Sequence, residues 1–281
     1  MDAERAALLQ QDTMSTKKKP KLGQNFLTDL QAQRKIVDAL GNAAAGTVVE
    51  IGPGRAAITA LLAERATRLV AIELDARLAA GIRAEYGVLG NVEVIETDVL
   101  TVDLSALATE PGRTLAVVGN LPYYITSPIL QHLFAHERVL QRAVVMVQRE
   151  VADRMTAVPG TSEYGVLSVL CQLHAQVDLL FTLPPAVFTP PPEVHSSVVR
   201  MEFAPQWEAL GISAGPFSSF LRECFAQKRK TLQNNLRAAG YIAAAVTAAL
   251  EASAQAAAVR AEELSPAQLA GLFHALRPAR D

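Results

Sequence analysis

Four residues near the middle of the chain, Asn120-Leu121-Pro122-Tyr123, directly follow an apolar, β-branched run, TLAVVGN (114–120). An asparagine amide oxygen, a carbonyl fixed by proline and a flat aromatic face together suit a planar nucleobase bearing an exocyclic NH2. The plainer alternative is a proline-containing turn with a packed tyrosine. Upstream, VVEIGPGRAAIT (48–59) sets Gly52 and Gly54 between another such run and a helical stretch. Glycines let the backbone turn sharply and approach a ligand, while a helix N-terminus supplies N–H groups and partial positive charge. Glu73 ends the next apolar run, 21 residues after Gly52, where a carboxylate can take the two hydroxyls of a ribose. That pair indicates a nucleoside-containing cofactor without distinguishing NAD from S-adenosylmethionine. Asp98, in ETDVL (96–100), falls at the same sheet edge and could accept from an adenine amino group, or simply cap a turn. Asp98 and the NLPY sequence tip the choice toward S-adenosylmethionine.

These residues need strands that end together. The runs TVVEI (47–51), RLVAIEL (68–74), VEVIET (92–97), TLAVVGN and RAVVMVQ (142–148) are β-branched, short and without period-2 alternation. Strands of a parallel sheet buried on both faces read this way. Between them, AAITALLAERA (56–66) and ARLAAGIRAEY (76–86) read as crossover helices, so the expected fold class is α/β with a doubly wound sheet. QVDLLFTL (176–183) and SSVVRMEF (196–203) are joined by a connection with five prolines, which must be extended and stiff; they can form a late hairpin in the same sheet. After Pro205 strand character ends. The expected organisation is a leader over 1–20, an α/β domain over 21–205 and a helical domain over 206–281.

In that tail Phe217, Phe220, Leu221, Cys224 and Phe225 form one apolar stripe. Lys228 falls on the same stripe, so either the helix breaks near Ala226 or the lysine emerges for a reason. Ser265-Pro266-Ala267-Gln268 has the residues of a capped helix start, leading to a last helix ending near Leu276.

The whole-chain numbers set bounds. A length of 281 residues suits about two domains, and half the residues are apolar with 19% charged, which excludes wholesale disorder. No apolar run approaches the ~18 residues of a membrane span. The opening MDAERAALLQQ carries Asp2 and Glu4 and does not read as a targeting peptide. Cys171 and Cys224 stand apart with no CxxC, indicating neither a disulfide framework nor a thiolate zinc site. A cytoplasmic protein is expected. A net charge of −2 does not announce a nucleic-acid binder. Location matters more: Lys17, Lys18, Lys19 and Lys21 cluster early, and Arg222, Lys228, Arg229, Lys230 and Arg237 cluster late. A solvated face is the ordinary reading of such a cluster.

NLPY resembles the active-site motif of methyltransferases that act on the exocyclic amine of adenine. GQNFLTD (23–29), EIGPG (50–54), IELD (72–75), NLPYYIT (120–126) and FTPPPEVHSSVVR (188–200), in this order, together resemble the small-subunit rRNA adenine dimethyltransferases, and AQKRKTLQNNL (226–236) extends the match into the tail. The resemblance implies a Rossmann-like methyltransferase domain, S-adenosylmethionine as donor without a metal, and transfer to two adjacent adenosines near the 3′ end of small-subunit rRNA, late in subunit assembly; a monomer is expected because no uncovered hydrophobic repeat asks for a partner. It implies that Asn25 and Leu27 close over the methionine part of the donor, Gly52 and Gly54 touch its carboxylate region, Glu73 its ribose and Asp98 its adenine. Asn120 would meet both donor and target amine, with the Pro122 carbonyl as second acceptor. Phe188 would stack on the base opposite Tyr123, and Lys228, Arg229, Lys230, Arg222 and Arg237 would meet RNA phosphates. The chain departs from the family pattern at GPGRAA, where a third glycine is common and Arg55 is unusual, and at Glu193 and His195, where lysine and aspartate are more familiar. The other readings are a large-subunit methyltransferase of the macrolide-resistance type, a ribosome-assembly binding factor with secondary catalysis, and a dehydrogenase lacking a recognisable hydride-transfer acid or base.

Overall fold

A computed structural model describes residues 24–108 and 114–276; the expected leader lies outside them. The chain enters through a two-residue strand, β1 (Phe26–Leu27), and helix α1 (Leu30–Asp38), whose N-cap Asp29 accepts from the Ala32 amide at 2.7 Å. Strands and helices then alternate: β2 (Thr47–Ile51), α2 (Thr59–Ala63), β3 (Arg68–Glu73), α3 (Ala76–Tyr86), β4 (Val92–Glu96), β5 (Leu115–Asn120), α4 (Thr126–Ala135), β6 (Leu140–Gln148), α5 (Arg149–Thr156), α6 (Val166–His174), β7 (Ala175–Leu183), β8 (Phe188–Thr189) and β9 (Ser196–Phe203). Seven strands form one sheet in the order β4-β3-β2-β5-β6-β9-β7. The first five are parallel, and β9 and β7 close the far edge antiparallel, as the late hairpin expected from the sequence.

Side chains alternate across the sheet and build two cores. Val49, Ile51, Val70, Ile72 and Val117 face one way, under Ile129, Leu130 and Leu133 of α4. Val48, Leu69, Ala116, Val118 and Val144 face the other, under Ile36 of α1 and Leu62 of α2. The central strands β2 and β3 are buried on both faces, as expected, but β4 is an edge strand and is only half-buried. Gly119 allows β5 to approach β2: a Cβ there would lie 2.6 Å from the Ile51 carbonyl oxygen.

Among the described residues four α-helices follow β9: α7 (Ala214–Cys224), α8 (Leu232–Ala238), α9 (Ala243–Ala252) and α10 (Pro266–Leu276). The stripe residues Phe217, Phe220, Leu221 and Cys224 are fully buried, and α7 stops at Cys224, so the helix breaks before Lys228. The start of α10 closes its capping box, with Ser265 N donating to Gln268 Oε1 at 2.9 Å and Gln268 N to Ser265 Oγ at 3.3 Å. The tail's core is not its own, however. It includes Ala157, Tyr164, Val169 and Leu173, and α6 also contributes Cys171 to the sheet's core. The boundary near residue 205 therefore marks a change of secondary structure, while packing runs across it. Trp207 pins the junction: its indole N–H donates to Glu137 at 3.3 Å and its ring meets His174 edge-on at 4.9 Å. His174 stacks on Phe134 and bonds the same carboxylate, and burial holds its imidazole below the usual range, so it is neutral at pH 7.

Trp207→Ala is expected to lower stability by about 3–5 kcal/mol, the usual cost of removing a buried large aromatic. Trp207→Phe, which loses the N–H but keeps a ring, should cost about 1 kcal/mol. Thermal unfolding reads both, and equal losses would show that the hydrogen bond, rather than the packing, carries the junction.

Candidate active site

Strand order reverses at β2, with β3 and β4 to one side and β5 and β6 to the other. At such a switch point the connections leave in opposite directions and open a crevice beyond the strand ends. A cavity of about 140 Å³ lies there, lined by Asn25, Leu27, Glu50, Gly52, Gly54, Glu73, Asp98, Asn120, Pro122 and Tyr123 among others. Of the residues singled out for cofactor and base, only Phe188 is absent from its walls.

Two buried features shape the floor. Glu73 is only 5% exposed, and its oxygens accept from the Gly54 amide at 3.0 Å and the Asp75 amide at 3.0 Å. A carboxylate has about four acceptor positions, so the two left are available for hydroxyls of a bound ligand. The Gly52 and Gly54 amides are both used internally, toward Ile72 at 2.9 Å and Glu73; these glycines give room and curvature rather than donors. Both have positive φ, +63° and +60°, and so does Ala56 at +60°. That is the position where the family's third glycine is common, and an alanine there carries backbone strain of about 1–2 kcal/mol. The left-handed turn also explains why α2 begins only at Thr59 and not at Ala56 as its sequence suggested.

The second wall is a strap. β1 pairs antiparallel with β8, Leu27 against Phe188, and Thr28 N donates to Val187 O at 2.8 Å. Two motifs 160 residues apart in the chain thus form one ribbon across the cleft. This corrects the expectation for Phe188. Its ring is 3% exposed and packs among Leu27, Ile36, Met146 and Val198; as placed, it has no face free for a base. The strap's Phe26 carries the Arg55 guanidinium 4.4 Å above its ring, which gives the unusual arginine a partner.

On the β5 side, Asn120 Nδ2 donates to the Asn25 carbonyl at 2.9 Å, which sets Oδ1 as the acceptor. Tyr123 is half-buried, with its hydroxyl 2.8 Å from Ser196 Oγ. Pro122 differs from expectation. Its carbonyl already accepts from Ile125 N at 3.1 Å and Thr126 Oγ1 at 3.1 Å, which occupies both lone pairs. Asp98 combines both readings considered for it: it lines the cavity, and Oδ1 caps a short turn by accepting from Leu100 N at 3.0 Å.

Lys228, Arg229 and Lys230 are exposed on the turn between α7 and α8, with Arg222 and Arg237 exposed on the flanking helices. The buried Asn235 amide holds this turn by donating to Cys224 O at 2.7 Å and Gln227 O at 3.2 Å, and Lys228 donates to the Ser162 carbonyl. Glu193 and His195 lie in the β8–β9 connection outside the cavity walls. Among the described residues no group of three or more His, Cys, Asp or Glu could hold a metal, and no helix is long and apolar enough to cross a membrane.

The sequence reading missed Glu50, although it quoted EIGPG. The signal was a carboxylate inside TVVEI, flanked by apolar residues in a central strand. Glu50 is 1% exposed, its Oε2 has no hydrogen-bond partner, and burial pushes its carboxyl up to about 8. Tyr124, 60% exposed at the cavity rim, was also missed.

The raised Glu50 carboxyl fixes the sign of a stability effect. Below pH 4.5 the acid is neutral in both states; as pH rises toward 8 the unfolded chain ionises freely while the folded one resists, and stability drains away. Glu50→Gln, a neutral isostere, should therefore gain on the wild type between about pH 5 and pH 8, by on the order of several kcal/mol. Melting temperatures across that range check it; a constant gap would mean that Glu50 is ionised throughout.

Comparison with known proteins gives a consistent set. A family model described as ribosomal RNA adenine dimethylase matches residues 15–277. A protein of Acidobacterium capsulatum named ribosomal RNA small subunit methyltransferase A is 60% identical over 263 residues, covering 94% of this chain and 93% of its own. One of the same name from Koribacter versatilis is 50% identical over 271 residues, covering 92% and 95%. Among solved structures, a dimethyladenosine transferase from Plasmodium falciparum superposes with a TM-score of 0.75 at 25% identity, covering 88% of this chain and 95% of that one. The 23S rRNA methyltransferase ErmE gives 0.68 at 26% identity, covering 90% and 100%.

Proposed function

The chain belongs to the ribosomal RNA adenine dimethylase family, and from that premise we propose how its cleft carries out the reaction and on which form of the RNA. It is an S-adenosylmethionine-dependent enzyme that dimethylates adenosines of small-subunit ribosomal RNA. The large-subunit reading is not favoured, because the relatives at 60% and 50% identity are named for the small subunit. The dehydrogenase reading ends with the family assignment. The finer substrate is two adjacent adenosines near the RNA's 3′ end, presented by a nearly assembled small subunit to one copy of the enzyme.

The observation that supports the site assignment is the meeting of Asn120 with Glu73, Asp98 and the Asn25–Leu27 strap around one cavity. Glu73 offers its two remaining acceptor positions to the ribose hydroxyls of the donor, and Asp98 faces the adenine amine. Gly52, with open space where a Cβ would stand, leaves room for the methionine end, which Asn25 and Leu27 cover, and Gly54 lets the Phe26 ring of the strap close to 3.0 Å of where its Cβ would be. When bound, S-adenosylmethionine supplies a methyl group on a sulfonium sulfur, a leaving group that needs no metal. The difficulty is the nucleophile, since the adenine amine lone pair is delocalised into the ring. Asn120 Oδ1 accepts from that amine, favours a pyramidal nitrogen and stabilises the positive charge that develops on it. The second acceptor is the Leu121 carbonyl rather than that of Pro122: Leu121 N is held by Met146 O at 2.9 Å, and its own oxygen has no partner among the described residues. Tyr123 supplies a face on which the extruded base stacks, worth about 1–3 kcal/mol. Phe188 acts from beneath, backing Leu27. The basic turn at Lys228–Lys230, with Arg222 and Arg237, meets phosphates of folded RNA, recognised by shape and backbone.

The test is transfer of radiolabelled methyl from S-adenosylmethionine to small subunits from a strain lacking the modification, with naked RNA and large subunits as controls. N6,N6-dimethyladenosine in the small subunit is expected. Label confined to the large subunit would overturn the substrate, and tight subunit binding without transfer would leave an assembly factor. In the same assay Asn120→Ala should lower kcat by about 10²–10³-fold, as loss of a preorganised polar group does, with little change in the KM for subunits. Replacing Lys228, Arg229 and Lys230 together by alanine should instead weaken subunit binding and reduce the salt slope by about 2 to 3, leaving kcat at saturation near wild type.

A further inference from the structure

We propose that Glu50 couples loading of the methyl donor to release of a proton: the empty cleft holds its carboxyl as the neutral acid, and the cationic end of the donor drives that proton out. The inference rests on S-adenosylmethionine being the ligand of this cleft, the reading given above, and concerns a residue to which that reading assigns no role.

The geometry is unusual for a carboxyl group. Glu50 lies on β2 two residues before Gly52, on the sheet face it shares with Val48 and Val118, and it lines the cavity. Its Oε2 is sealed from solvent without a hydrogen-bond partner. An ionised carboxylate so placed costs several kcal/mol unless something compensates it, and among the described residues no basic side chain pairs with it. On α2 the Thr59 hydroxyl opposes burial by favouring the ionised form, though less than burial disfavours it, and Thr59 Oγ1 has no partner at bonding distance. On β3 Glu73 is a second buried carboxylate, whose charge opposes ionisation of the first. Tyr86 on α3 feels Glu50 as a negative neighbour, and Asp98 after β4 is a third carboxyl on the cavity wall. Neighbouring β5 brings Val118 and Gly119, both uncharged. Among the described residues the one basic residue lining the cavity is Arg55, and its guanidinium rests on the Phe26 ring. Three carboxyls against one guanidinium form a site short of positive charge. Burial, outweighing the Thr59 hydroxyl and aided by the Glu73 charge, therefore pushes the Glu50 carboxyl up to about 8 without the ligand, so it is mostly the neutral acid at pH 7.

S-adenosylmethionine carries a sulfonium, an ammonium and one carboxylate, a net single positive charge. A cation entering a desolvated site beside a neutral acid favours ionisation of that acid, since the Coulomb term grows as water leaves. The balance is simple: the Glu50 O–H bond breaks, the proton goes to solvent, and the carboxylate remains opposite the ligand's positive charge. Near neutral pH donor binding should then release close to one proton, whereas a neutral fragment of the donor should release none.

Calorimetric titration at pH 7.0 in two buffers of different ionisation enthalpy, phosphate and Tris, counts the protons directly. The ligands are S-adenosylmethionine and methylthioadenosine, which keeps the nucleoside and thioether but lacks both the methionine chain and the sulfonium charge. For the wild type the expected result is release of about one proton with the first and none with the second. Glu50→Gln should release none with either, bind S-adenosylmethionine at least tenfold more weakly, and bind methylthioadenosine as the wild type does. A measurement on the wild type alone guards against a misfolded variant: its affinity for S-adenosylmethionine should rise nearly tenfold from pH 6.5 to pH 7.5, while that for methylthioadenosine stays level. Proton uptake, equal release with both ligands, or release that survives in Glu50→Gln would overturn the proposal while leaving the methyl-donor reading intact. If the wild type bound neither ligand, the donor reading itself would be at fault.

Discussion

Everything in the cleft depends on one buried carboxylate that ties two backbone segments together. Glu73 takes the Gly54 amide with one oxygen and the Asp75 amide with the other, joining the turn after β2 to the end of β3. The clamp works with the bonds from Gly52 N to Ile72 O and from Ala56 N to Pro53 O to hold three alternate left-handed positions, Gly52, Gly54 and Ala56. With it, the turn stays open, α2 starts late, and the cleft has a floor. A hydrogen bond from an amide to a charged group is stronger than a neutral one, and the shielded position at 5% exposure keeps water from competing. The same oxygens keep spare acceptor capacity, so one group both builds the site and offers itself to a ligand.

The remaining walls are tied to this floor by main-chain links. Asn25 receives the Asn120 amide, so the strap is anchored to the end of β5, and β8 anchors it from the other side. The tail is attached as firmly, because α6 packs into the core of the sheet and the core of the tail together. Strap, floor and basic turn therefore form a connected body in which the separation of the cleft from the basic turn is set by packed helices rather than by a linker.

Much of this was legible in the sequence, for definable reasons. Strand cores survive as β-branched runs because central strands of a parallel sheet are apolar on both faces; SSVVRMEF is β9 residue for residue. α3 matches its expected span for an equally local reason, since Asp75 caps it at the start. Legibility failed where a residue's role depends on a distant partner. Phe188 looked like a binding face because its proline-rich context is stiff, but pairing with Leu27 turns the ring into the core. Pro122 looked like an acceptor until the next turn of chain claimed its carbonyl. The domain boundary followed the change from strand to helix and missed that α6 serves both sides. Glu50 was visible but silent, because a single carboxylate in an apolar strand shows its cost only once the surroundings are known to be dry.

Ala56 bears on how such sites are recognised at all. A pattern that demands three glycines after the first strand would reject this chain, although its backbone is left-handed at all three positions. What the corner requires is a run of torsion angles. Glycine is its commonest spelling, and alanine is a legible misspelling so long as the carboxylate clamp behind it holds the line.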